Sequence, residues 1–177
     1  MKKSKKGFTL VEMVVVIALV AILGVAVVSI MTPAGNMFAK MQKQAQAKMI
    51  ASGVMQVVEP QARFGTNLKI VSSVVSGDSN RYLYASGGKL LMRDTGKASA
   101  TDVFGSDYYN GYTVEMTCSS SGNSVQITVK AKYATDDTIA SSLTTTIQNQ
   151  NTANVTDSGG SIDYLCYQWL TEPVASA

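Results

Sequence analysis

The stretch Lys2-Lys3-Ser4-Lys5-Lys6-Gly7-Phe8-Thr9-Leu10-Val11-Glu12, with the apolar run 13–28 behind it, decides how this chain is built. Four lysines precede a Gly7-Phe8 junction, and no polar side chain occurs between Met13 and Val28. An ordinary signal peptide places its small-residue cleavage site after the apolar stretch, so the stretch is lost on processing. Here the processing-like junction lies ahead of the stretch. A cut between Gly7 and Phe8 leaves the hydrophobic helix as a new N-terminus. The lysines themselves read as a positive-inside signal that keeps the extreme N-terminus cytoplasmic. The body then emerges on the far, oxidising side.

Glu12 is the one carboxylate in this segment, four residues inside the new terminus. An ionised acid in hydrocarbon is expensive and calls for a partner. Two readings stand. Glu12 sits at headgroup level beside the lysines, or, after cleavage, it pairs with the α-amino group of Phe8, of its own helix or of a neighbour.

Taken together, the basic leader, Gly7, the Phe8-Thr9-Leu10-Val11-Glu12 string and the apolar helix resemble the type III signal of the type IV pilin family. That family includes type II secretion pseudopilins and competence pilins. The resemblance covers about the first thirty residues. It implies cleavage after Gly7 by a prepilin peptidase, N-methylation of Phe8, and a role for Glu12 in assembly, neutralising a neighbour's Phe8 amine and setting register. It also implies a single-pass precursor in the inner membrane, in contact with lipid. Assembly machinery then polymerises that precursor with other pilin subunits into a surface filament serving adhesion, motility or DNA uptake. A type II secretion pseudopilin in a periplasmic pseudopilus, or a minor pilin, is the alternative within the family. Outside it stands an extracytoplasmic binding or enzymatic domain held by an uncleaved signal anchor.

The whole chain sets further bounds. At 177 residues, with 46% hydrophobic and 15% charged side chains, it is one modest domain plus its N-terminal segment. The net charge of +3 is misleading, because four of the 15 basic residues lie in the leader. Residues 8–177 carry 11 basic and 12 acidic side chains, a formal balance of −1, which gives no electrostatic case for a nucleic acid or an anionic surface. Histidine is absent, which removes His-based triads and imidazole metal ligands. No GxSxG or SxxK string places a serine nucleophile. No catalytic site, cofactor or metal centre is expected.

Cys118 and Cys166 lack CxxC spacing, which argues against a redox dithiol or zinc knuckle. A disulfide or two free thiols remain, and the oxidising side of the membrane favours the disulfide. Such a bridge would add roughly 3–4 kcal/mol in the chain-entropy model. It would also match the disulfide-bounded C-terminal region that the pilin resemblance implies.

Periodicity gives the rest of the architecture. After Met31 the composition turns amphipathic, with Phe38, Met41, Ala45 and Met49 at helical spacing, and Ile50, Val54, Val57 and Val58 continuing an apolar stripe. Glu59-Pro60 reads as the stop, and Pro33 as a kink within one helix or a break into two. Beyond Pro60 the period changes to two. Strands are expected within 68–75, 81–92 (with Gly87-Gly88 as a turn), 112–118, 125–133 and 143–148. Residues 119–123 close a hairpin, 148–160 form an exposed loop, and 162–170 form a last segment. The expected fold class is α+β, a long N-terminal helix packed on an antiparallel sheet and similar to pilins. Its parts are a cleaved leader (1–7), a membrane and assembly half of the helix (8–31), an amphipathic half (32–59) and a globular head (60–177).

Three weaker signals have plainer readings. Asp136, Asp137, Asp157 and Asp163 lack calcium-loop spacing and read as solvated loop residues. Asn154-Val155-Thr156 is a three-residue glycosylation match that arises readily by chance. The eight tyrosines, with Trp169, read as sheet packing before they read as an adhesive face.

Overall fold

The computed structural model describes residues 7–75, 78–158 and 163–168, so the leader 1–6 and the ends of the last segment lie outside the described residues. The chain divides into two compact units, Met1–Gln42 and Lys43–Ala177. Helix α1, Leu10–Phe64, contributes to both.

In the first unit α1 runs through Gly24, Pro33 and Gly35 without interruption. Every residue from 7 to 33 is exposed. The helix contains an 18-residue window of mean hydropathy 3.1, long and apolar enough to cross a membrane.

The second unit holds the C-terminal part of α1, two sheets and a short helix. Strands β1 (Thr66–Val71), β2 (Arg81–Ser86), β3 (Lys89–Arg93), β4 (Thr101–Asp102), β8 (Thr156–Asp157) and β9 (Tyr164–Gln168) form a mixed sheet in the order β4-β3-β2-β9-β1-β8. Among the described residues its one parallel pairing is β1 with β8. Strands β5 (Tyr112–Ser121), β6 (Ser124–Tyr133) and β7 (Ile139–Gln148) form a separate antiparallel sheet. Helix α2 spans Ser106–Tyr109. The single antiparallel head sheet expected from sequence is thus two sheets. β9 reaches across the chain to sit between β2 and β1, a non-local pairing that local periodicity does not carry.

The β5–β6 hairpin follows its sequence pattern residue by residue. Val114, Met116 and Cys118 pair with Ala131, Val129 and Ile127, and all six are buried. They meet Ala47, Ile50, Ala51, Val54, Met55, Val58 and Ala62 of α1 in one core with Leu83, Leu90 and Leu165 of the mixed sheet. Burying a leucine- or isoleucine-sized side chain contributes roughly 1.5–3 kcal/mol, so this contact holds the helix to the head.

Two expectations about α1 are corrected. It does not stop at Glu59-Pro60 but continues to Phe64. Pro60 and Gln56 are both exposed, so the Gln56 carbonyl, which loses its donor to Pro60, lies on the solvent side. Ala62, fully buried, and the Arg63–Glu59 pair at 2.5 Å hold the last turn. The end is set from outside the helix. Gly65 N–H donates to Gln61 O, Asn149 Nδ2 to Ala62 O, Gln150 N–H to Arg63 O, and Asn151 Nδ2 to Phe64 O. All four orphan carbonyls of the last turn are therefore satisfied. A Cβ at Gly65 would stand 2.6 Å from Gln61 O and 2.9 Å from Tyr167 Cβ, so only glycine fits.

The second correction concerns the stripe Phe38, Met41, Ala45 and Met49. All four residues are exposed, and the core face of α1 is set by Ala47, Ile50, Val54 and Val58 instead. Periodicity finds an apolar face but does not say what covers it.

On the far side of the mixed sheet, Tyr82, Arg93 and Cys166 stand together in cross-strand register. Arg93 is 2% exposed, lies over the Tyr82 ring at 4.5 Å and pairs with Asp78 at 2.5 Å. The Tyr82 hydroxyl donates to the same carboxylate.

Candidate assembly and processing site

Gly7, Phe8 and Thr9 precede the first turn of α1 and adopt no regular structure. Helix entry is arranged by a reciprocal cap. Thr9 N–H donates to Glu12 Oε2 at 3.0 Å, Glu12 N–H donates to Thr9 Oγ1 at 3.3 Å, and Thr9 Oγ1 donates to Glu12 Oε2 at 3.0 Å. This is a capping box, with the acidic group also facing the positive end of the helix dipole. The Gly7-Phe8 junction is thereby left exposed, outside the helix, with Phe8 79% exposed. Thr9 escaped the sequence reading, although its Thr-x-x-Glu spacing to Glu12 was a sufficient signal.

A family model described as the prokaryotic N-terminal methylation motif matches residues 2–28. The chain carries a type IV prepilin motif. No curated protein matches the chain. Among solved structures, a point mutant of the PilB minor pilin from Streptococcus sanguinis is similar with a TM-score of 0.54 and 15% identity, over 75% of this chain and 35% of that one. The PilB minor pilin itself gives 0.48 and 15%, over 78% and 36%. The chain thus spans about a third of the length of those pilins, and at this identity the likeness concerns the fold. That fold is α+β and pilin-like, as expected from the sequence.

The cysteine pairing expected from sequence is corrected. Both thiols are free and buried. Cys118 points into the core, whereas Leu165 and Tyr167 occupy the core side of β9 and leave Cys166 on the opposite face, against the Tyr82 hydroxyl. Alternation along a strand puts neighbouring residues on opposite faces, so Cys166 is on the wrong side of its sheet for Cys118. Burial pushes both thiols above their ordinary pKa, which keeps them protonated and unreactive.

The remaining polar residues have local work. Asp163 Oδ2 accepts the Cys118 N–H at 2.6 Å, Asp136 accepts Thr138 N–H and hydroxyl, and Asp137 pairs with Lys132. Among the described residues no group of acidic or sulfur side chains gathers as a metal site. Tyr109 takes the Leu90 N–H and donates to Asp102, and the Tyr112 hydroxyl donates to Lys43 O. These tyrosines pin elements together, as the packing reading expected.

Proposed function

We propose that this chain is a structural subunit of a type IV pilus. The prepilin peptidase cleaves between Gly7 and Phe8, the Phe8 amine is methylated, and subunits polymerise through the apolar half of α1. The reading rests on one observation, that the methylation motif at 2–28 runs into the apolar part of α1, whose residues up to 33 are all exposed. Such a surface needs lipid before assembly and other helices after it, because no polar lining offers water a place. Glu12 is the assembly residue, giving up its bond to Thr9 for a neighbour's Phe8 amine. The body, at a formal balance of −1, gives no electrostatic case for DNA, so any DNA handling belongs to the assembled filament.

The free thiols favour keeping a second reading beside the first. The disulfide-bounded C-terminal region that the pilin resemblance implies is not formed, so a minor pilin or a pseudopilin stands beside a major pilin. Subunit abundance in sheared filaments separates a major pilin from a minor pilin or pseudopilin.

The test is N-terminal sequencing with intact mass. The mature protein should begin at Phe8, with the mass of a methylated amine, and Gly7→Val should retain the leader. An intact Met1 on the wild-type chain would favour the signal-anchor alternative.

A further inference from the structure

Strand β7 forms one edge of the three-stranded sheet, and among the described residues no strand pairs with its outer side. The opposite edge is engaged, since the Val114 N–H of β5 donates to Gly88 O at 2.8 Å. β7 is 10 residues long, and its register with β6 is continuous from Ser141 to Gln148. An open edge presents a row of unpaired N–H and C=O groups, which folded proteins ordinarily blunt with charge, proline or a bulge. Residues 139–148, Ile-Ala-Ser-Ser-Leu-Thr-Thr-Thr-Ile-Gln, hold no charged residue, proline or glycine, and the register shift lies before Ser141. Ser142, Thr144 and Thr146 are exposed, and the Thr144 hydroxyl shares a hydrogen bond with that of Thr128 at 2.9 Å. Leu143 packs against the core but is only partly covered.

We propose that β7 pairs edge to edge with β7 of a second copy of the chain, joining two three-stranded sheets into one. The inference rests on the filament reading above and names a contact between filaments. The occupant of an open edge has to be an extended strand, because only that satisfies the row of backbone groups. β7 is its own complement. An antiparallel two-fold centred on Leu143 sets Leu143 against Leu143, Ser142 against Thr144 and Ser141 against Thr145. Apolar then meets apolar and hydroxyl meets hydroxyl, pairings that stabilise antiparallel strands. Asp136 and Asp137 precede β7, so the two-fold carries them to opposite ends of the pair and no like charges face each other. Successive subunits of one filament are related by a screw operation and not by a two-fold, so the partner belongs to another filament. One such contact is small and weak, but many along two filaments act together.

The test uses two variants of the full chain, Ser142→Cys and Thr144→Cys, because these positions face each other across the two-fold at about 4.5–5.5 Å between Cα atoms, within disulfide reach. Cys118 and Cys166 are buried and do not compete. Sheared filaments of the two variants are mixed under a mild oxidant. The expected product is a reducible dimer joining position 142 to position 144, abundant in the mixture and scarce with either variant alone. Lys97→Cys in place of either variant gives none. Mixed filaments that form no such dimer, or only a cross-link to another protein, overturn the proposal. The double variant Ser142→Lys with Thr144→Lys sets lysine against lysine across the contact. It should cut low-speed sedimentation of filament bundles about tenfold or more while leaving filament number unchanged. Unaltered bundling from that variant also overturns the proposal. Mixing the same cysteine variants as detergent-solubilised chains lets the two readings fail separately. A 142–144 dimer there, from a chain that keeps Met1 and makes no filaments, keeps the strand pairing and sinks the filament reading. Normal filaments that give no dimer sink the contact between filaments alone.

Discussion

Asn149 Nδ2 donates to Ala62 O at 2.7 Å, joining the segment after β7 to the last turn of α1, and reaches Gly65 O at 2.9 Å as well. Its Oδ1 meanwhile accepts the N–H groups of Asn151 and Thr152. One buried side chain therefore terminates the helix and shapes the loop that carries the chain to β8.

Asn149→Ala removes all four bonds and strands buried carbonyls. It should destabilise the head by about 2–4 kcal/mol, read from the denaturant midpoint of the detergent-solubilised chain. Asn151→Ala, which is exposed and loses one bond, should cost about 1 kcal/mol or less. Equal effects would show that the Asn149 amide is not the principal cap.

The cysteines should behave as two thiols. Alkylation in denaturant without reductant should modify both, alkylation of the native protein neither, and Cys166→Ser should mature normally. A chain that takes up alkylating reagent only after reduction would contradict the opposed faces of Cys118 and Cys166.

Acid stability should depend on Asp78. Burial raises its carboxyl pKa, but bonds from Tyr82, Asn80 and Arg93 outweigh this and hold it below its ordinary 3.8. A carboxylate with a depressed folded value stabilises above its unfolded pKa and loses that contribution as pH falls through the folded one. The head should therefore lose stability below about pH 4, and Asp78→Asn, which leaves Arg93 unpaired, should cost about 3–5 kcal/mol at neutral pH. Unchanged neutral stability in that variant would remove the ion pair from the account.

Alkali acts through the tyrosines. Burial pushes Tyr82, Tyr109 and Tyr167 from 10.0 up to about 12. A raised folded value means stability intact below pH 10 and lost as pH climbs towards 12. Phenolate absorbance of these three should appear together with unfolding, and titration near pH 10 in a folded head would show them solvated.

Much of this was legible where one rule governed. Tyr112 to Tyr133 alternates cleanly because one face is core and the other solvent, and the hairpin followed. Gly87-Gly88 marked its turn. The helix end misled because Pro60 lies on the exposed side, while the true stop depends on Asn149 far along the chain. Phe38 to Met49 misled because a helix with two apolar faces gives the same period whichever is buried. Cys166 misled because spacing and compartment say nothing about strand parity. Thr9 and Glu12 stand three residues apart, so their capping box is a purely local signal in the sequence.

The capping box between Thr9 and Glu12 bears on the proposed assembly. Glu12 is not waiting empty-handed for a neighbour's amine; its Oε2 already holds Thr9. Under the proposed assembly, a bond from Glu12 to a neighbour's Phe8 amine would replace one it already makes to Thr9. A contact made by such an exchange would contribute less than one made to an unoccupied carboxylate.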